Sequence, residues 1–76
     1  MKFREYKPRF ETIILYSTDI RRTYKKLLGV GTKSQLSKFF EADVLVCQDD
    51  VKLQTATVLV ADDKKFKGKI MKRNSF

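Results

Sequence analysis

Three consecutive aliphatic residues, Ile13, Ile14 and Leu15, sit inside the run FETIILYS at residues 10–17. A strand sends successive side chains to opposite faces, so a strand through these positions needs apolar cover on both sides. The run reads as a strand with a buried middle. A chain of 76 residues has room for one domain and one core. Domains of this size bury only about 60% of the surface their unfolded chains expose, which makes a homodimer one expected source of further burial.

After that strand, Ser17, Thr18 and Asp19 offer capping oxygens. Ile20, Tyr24, Leu27 and Leu28 then recur at the i, i+4, i+7, i+8 spacing of an amphipathic helix that closes at Gly29. On such a helix Arg21, Arg22, Lys25 and Lys26 share the face opposite the apolar one. Thr32 and Gln35 have the spacing of a capping box, and Leu36, Phe39 and Phe40 follow at helical intervals. A short second helix is predicted there, with Lys33, Ser37 and Lys38 toward solvent.

Residues 42–47 read as a strand, Asp49 and Asp50 as a turn, and residues 51–61 as a longer β-rich run, which together make a hairpin. Within the longer run the apolar pattern shifts from Val51/Leu53 to Val58/Val60. That change needs a bulge, or burial of both faces near 58–60. Asp62 and Asp63 mark another turn, and residues 66–73 form either a last strand, with Phe66 and Ile70 inward, or a basic tail. The expectation is an α+β domain over residues 1–76, with one or two short helices packed on a mostly antiparallel sheet of three to four strands. A basic, aromatic arm (1–9) and a basic C-terminal segment (64–76) flank it.

Composition narrows the chemistry. Hydrophobic residues are 42% of the chain, too many for a wholly disordered protein. There is no histidine, the commonest general base. Cys47, the only cysteine, lies among Val44, Leu45 and Val46 and reads as an inert core thiol; a disulfide scaffold is excluded. The Asp49/Asp50 and Asp62/Asp63 pairs read as turn residues, since Asp side chains bond their own backbone there, rather than as cation ligands. The segment Gly29-Val30-Gly31-Thr32-Lys33-Ser34 departs from a phosphate loop because Thr32 separates Gly31 from Lys33 and a helix, not a strand, precedes it. The expectation is therefore a protein that binds, without catalysis, cofactor or metal. No apolar stretch approaches the roughly 20 residues of a membrane-spanning helix, and a cytoplasmic, reducing setting is expected.

Seventeen Lys and Arg against nine Asp and Glu give a net charge of +8, a field felt by any polyanion. Nucleic acid is the expected partner, DNA before RNA. The candidate contacts are Arg21, Arg22, Lys25, Lys26, Lys33, Gln35, Lys38, Lys67, Lys69, Lys72 and Arg73, with Phe3, Tyr6 and Phe76 available to stack on unpaired bases. The alternative is an interaction module, a small inhibitor or accessory subunit, docking on an acidic surface or sheet edge of a larger protein through its own edge strand and Phe-rich second helix.

Residues 27–38, LLGVGTKSQLSK, resemble the turn and recognition-helix start of helix-turn-helix regulators. The following hairpin and basic tail are similar in order to the small phage repressors of the Cro type. The resemblance implies a recognition helix over residues 33–40 in the major groove, with Lys33, Gln35 and Lys38 on phosphates or bases. The sequence departs from the pattern at Lys25, where a small residue is wanted, in an extra residue after Gly29, and in showing two helices rather than three.

Overall fold

The computed structural model describes residues 1–19 and 21–72. Its frame is a five-stranded mixed sheet made of β1 (Thr12–Thr18), β2 (Tyr24–Gly31), β3 (Val44–Asp50), β4 (Thr55–Ala61) and β5 (Lys69–Lys72), in the order β3-β4-β1-β2-β5. Two short 3-10 segments, Phe3–Glu5 and Ser34–Phe39, complete it. Among the described residues there is no α-helix, so the α+β expectation of one or two helices on three to four strands is corrected to a sheet-dominated domain.

The centre of the sheet is β1, which runs antiparallel to β2 and parallel to β4. Its Ile13, Leu15 and Ser17 lie beside Ala56, Val58 and Val60 of β4 on one face, and all six are fully buried. Phe3, Tyr6, Leu36, Phe39 and Ala42 close over this face to form the core. Ile14, Tyr16 and Thr18 occupy the second face beside Thr57, Leu59 and Ala61. Leu59 is buried there although it lies outside the core cluster, so Val58, Leu59 and Val60 are covered on both faces. The bulge sits across the ladder in β3, between Val44 and Val46.

The predicted first helix is replaced by strand. Residues 24–31 pair with β1 from Thr18↔Lys25 to Ile13↔Gly31, with a bulge that leaves Leu28 out of the register between Leu27 and Gly29. Long-range pairing has overridden a local helical spacing, as it does when a central strand such as β1 needs a neighbour on each side. Ile20, part of that helical pattern, lies outside the described residues. The capping oxygens are used in a turn instead: the Asp19 carboxylate accepts from the Thr23 backbone N–H (2.7 Å) and hydroxyl (2.6 Å).

The predicted second helix is also corrected. Ser34–Phe39 forms 3-10 turns broken at Leu36 (φ −101°, ψ 23°). The Thr32/Gln35 box is present, with Gln35 Oε1 accepting from Thr32 N (2.9 Å) and Thr32 Oγ1 accepting from Gln35 N (3.3 Å). A Cβ at Gly31, the last residue of β2, would collide with the Gln35 side chain, so glycine there leaves Gln35 room to reach back to Thr32. Asp49 and Asp50 end β3, and the turn itself is residues 51–54, where Asp50 Oδ1 accepts from Leu53 N (3.1 Å) and Gln54 is left-handed (φ 51°).

The N-terminal residues are stitched to the sheet. Val44 N donates to Met1 O (2.8 Å), Phe3 N to Ala42 O (2.9 Å) and Arg4 N to Phe40 O (3.0 Å). Lys2 pairs with Asp43 at 2.9 Å and Arg4 pairs with Glu41. These bonds seat Phe3 in the core, where full burial of such a ring is worth about 1.5–3 kcal/mol.

Candidate functional site

The four cations expected on one helix face are distributed otherwise. Arg21 and Arg22 lie exposed in the β1–β2 connection. Lys25 and Lys26 are successive residues of β2 and so point to opposite faces, because strand periodicity is 2 where helix periodicity is 3.6. The Lys25 ammonium lies over the Tyr16 ring at 4.7 Å on the second face. Lys26 turns to the first face and is committed to an internal ion pair.

That pair is the most connected polar cluster of the described residues. Lys26 Nζ donates to Asp62 Oδ1 (3.1 Å) and to the Phe66 carbonyl (3.0 Å). Ser17 Oγ donates to the same carboxylate (3.3 Å), and Tyr24 Oη donates to its other oxygen. Asp62 N donates to Thr18 O (3.0 Å). Burial pushes the Asp62 carboxyl up, but the hydrogen bonds from Tyr24, Lys26 and Ser17 and the charge of Lys26 outweigh it and hold it below the ordinary carboxylate range. The same hydrogen bond raises the Tyr24 phenol. The cluster fastens β1, β2 and the connection after β4 at one end of the sheet. In the sequence Asp62 reads only as a turn residue; its partners are brought to it by tertiary pairing.

The residues of the expected recognition helix have local partners. Lys33 donates to the Arg4 carbonyl and sits 5.8 Å from the centre of the Phe40 ring. The Gln35 carbonyl oxygen is occupied by Thr32 N. Lys38 is exposed, with its ammonium 5.3 Å from the centre of the Phe39 ring. With no α-helix at 33–40, the groove-reading arrangement implied by the helix-turn-helix resemblance is absent from this part of the chain. The rings at 39 and 40 face inward: Phe39 is buried in the core and Phe40 packs against it, so the Phe-rich segment is not an open docking face.

One group of cations does converge. Phe66 packs edge-on against Phe39 (centroids 5.3 Å apart, planes at 84°), which draws the connection between β4 and β5 onto the Ser34–Phe39 turns. Lys38, Lys65 and Lys67 then surround a surface hollow of about 330 Å³ floored by the two rings, with no carboxylate among its lining residues. A neighbouring hollow shares Lys38 and Lys65 and is lined also by Glu41, Asp43, Asp62 and Asp63, of which Glu41, Asp43 and Asp62 are paired with Arg4, Lys2 and Lys26. Lys69 and Lys72 belong to β5, and Arg73 lies outside the described residues, as does Phe76.

Two further expectations are settled by burial. Phe3 is fully buried and stacked with Tyr6 (6.2 Å, 19°), itself buried, so neither ring is available to stack on a base. Cys47 is exposed on strand β3, not a core residue, because among the described residues β4 has a strand neighbour on both sides whereas β3 has one on only one side. Its sulfur keeps enough cover that burial, ahead of the nearby Asp49 charge, pushes the thiol up. Among the described residues no group of three or more His, Cys, Asp or Glu could hold a metal ion, and no helix is long and apolar enough to cross a membrane.

Compared with protein-family models, curated proteins and solved structures, the chain matches none.

Proposed function

We propose that this protein binds nucleic acid, duplex DNA in first place, by gripping the phosphate backbone rather than by reading bases. The observation that carries the reading is the convergence of Lys38, Lys65 and Lys67, from segments far apart in sequence, around a hollow without carboxylates. A net charge of +8 supplies the long-range attraction. Phosphate contacts position a protein on a duplex without specifying sequence, which suits a surface with cations and no helix to enter the groove. A reducing, cytoplasmic setting belongs to the same proposal, as the single Cys47 has no partner in the chain for a disulfide.

The test is fluorescence anisotropy with a labelled DNA duplex between about 50 and 200 mM salt. Three contacts give a log-log slope of about −2.7 or steeper, and replacing Lys38, Lys65 and Lys67 together by Gln flattens it by about that amount. Lys52→Gln, at the far end of β4, leaves the slope unchanged. Absence of binding near physiological salt, or an unaltered slope in the triple variant, sinks the reading.

A second reading, docking on a larger protein, draws on Val51 and Leu53. They are 61% and 69% exposed at the β3–β4 turn, beside the end of β3 that has no strand partner on its outer side among the described residues. It gains ground if duplex binding fails while a Val51→Ser/Leu53→Ser variant, equally stable, loses association with a partner that the wild-type chain retains.

A further inference from the structure

On the second face of the sheet, away from the Lys38–Lys65–Lys67 hollow, lies a smaller concavity of about 120 Å³, lined by Thr18, Arg22, Lys25, Val46, Gln48 and Leu59 among others. Leu59 is buried and Val46 half-buried, and they form its apolar floor. The Thr18 hydroxyl is committed to the Tyr24 carbonyl (2.5 Å), so this residue offers the hollow its methyl group. Arg22 and Lys25 supply positive charge and Gln48 an exposed amide; no carboxylate is among the lining residues. Two acidic residues adjoin the lining in sequence: Asp19 has both oxygens occupied by Thr23, and Asp49 pairs with Ala56 on the opposite face of β3 from Gln48.

We propose that this concavity binds a small organic carboxylate whose apolar body is flat and about the size of a benzene ring. The volume sets the size of the part held inside, because a dry apolar cavity on the order of 150 Å³ accommodates benzene. The floor sets the character of the body. Arg22 sets the head group, since a planar guanidinium matches a carboxylate with two parallel hydrogen bonds. Arg22 also stands at φ 56°, a left-handed conformation that glycine or asparagine adopts more easily. Its backbone N–H donates to Asp19 O (3.0 Å), which fixes the turn and places an arginine at the mouth of the hollow. A strained non-glycine residue maintained beside an apolar concavity is the kind of outlier from which a binding role is inferred.

The site is independent of DNA binding and is tested without it. The full chain is titrated with benzoate, acetate and benzyl alcohol while backbone amide chemical shifts are followed. Benzoate is expected to bind with one-to-one saturation and to shift the amides of Thr18, Arg22, Val46, Gln48 and Leu59. Acetate, which keeps the charge without the body, and benzyl alcohol, which keeps the body without the charge, are each expected to bind at least about tenfold more weakly, equivalent to about 1.4 kcal/mol. Arg22→Gln is expected to cost benzoate about tenfold, and Arg22→Lys to restore part of it; Arg22 is exposed, so both variants fold. Equal binding of benzoate and acetate overturns the proposal, as does equal binding of benzoate and benzyl alcohol. Unaltered benzoate affinity in Arg22→Gln, shifts confined to Lys38, Lys65 and Lys67, or no binding of benzoate does the same.

Discussion

The ammonium of Lys26 lies 3.1 Å from the carboxylate of Asp62, and the two side chains are only 13% and 23% exposed. Lys26 comes from the second strand of the sheet and Asp62 from just beyond the fourth, so their contact ties together segments that β1 separates. With Ser17 and Tyr24 donating to the same carboxylate, the charge of Asp62 is met on both oxygens. Asp62 lies at the surface as a whole, so removing one partner costs less than in a fully buried pair and more than at an isolated surface bridge, since three side chains share the carboxylate.

Asp62→Asn is accordingly expected to destabilise the domain by about 1 kcal/mol at neutral pH. That corresponds to a fall in Tm of roughly 4–8 °C for each kcal/mol in a chain of this size. The folded-state pKa of Asp62 is depressed. Its contribution is therefore full above the unfolded carboxylate value of about 3.9 and is lost as pH falls through the lower folded value. Thermal melts of wild type and variant should differ most near neutrality and converge in acid below that range. A gap in Tm that stays constant down to the lowest accessible pH would remove Asp62 from this role.

Gly68→Ala is expected to loosen β5. A Cβ built at Gly68 would lie 2.2 Å from the Leu27 carbonyl oxygen, a backbone atom held in the ladder where Leu27 pairs with Lys69. The backbone has to separate, at a cost of about 1–3 kcal/mol for overpacking. Hydrogen exchange at Lys26 and Leu27 should accelerate while Ile13 and Val58 remain protected. Unchanged exchange in β2 would show that the close approach is not retained in solution.

Phe3→Ala is expected to cost about 3–5 kcal/mol, in the range for a buried aromatic ring. For a domain this small, that approaches the whole of its stability. Urea denaturation is the measurement; a loss under about 1 kcal/mol would mean that the first residues are a free arm after all.

Cys47 is expected to react slowly with a thiol reagent at neutral pH despite its exposure, since its thiol is raised and the thiolate is the nucleophile. The labelling rate should climb as pH rises above about 8.5, and Cys47→Ala should alter stability by no more than about 0.5 kcal/mol. Fast labelling at pH 7 would contradict this account.

What the sequence made legible follows from burial. Ile13-Ile14-Leu15 announces a strand covered on both faces, and β1 is that strand. The hairpin of β3 and β4 is legible from its alternating β-branched residues, although its turn falls two residues later than the Asp pair suggests. The stretch Tyr24-Lys25-Lys26-Leu27-Leu28-Gly29 misleads, because lysines and glycines weaken a strand signal and the spacing of Tyr24, Leu27 and Leu28 fits a helix. In the sheet, Leu27 and Leu28 go to different faces by strand alternation, and the bulge at Leu28 then shifts the register, which a uniform period cannot reveal. Of the candidate contacts, Lys38 and Lys67 are brought together, Lys26 is spent on Asp62, and Arg22 and Lys25 face the other side. The missing information was non-local: which cation finds a carboxylate depends on strand order, not on neighbours in sequence.

The parallel pairing of β1 with β4 has a bearing on how the chain reaches this state. Thr12–Thr18 pairs early with the neighbouring β2, but its second partner, the parallel one, is Thr55–Ala61, across more than half the chain. A polypeptide emerging from the ribosome must therefore carry Ile13 and Leu15 uncovered on one flank until its last third is available. Closing so long a loop before any reward is slow, which makes the early chain dependent on the antiparallel β1–β2 hairpin to shield its most aggregation-prone segment. Variants that weaken this hairpin should lower the yield of folded protein during synthesis more than they lower the stability of the finished domain.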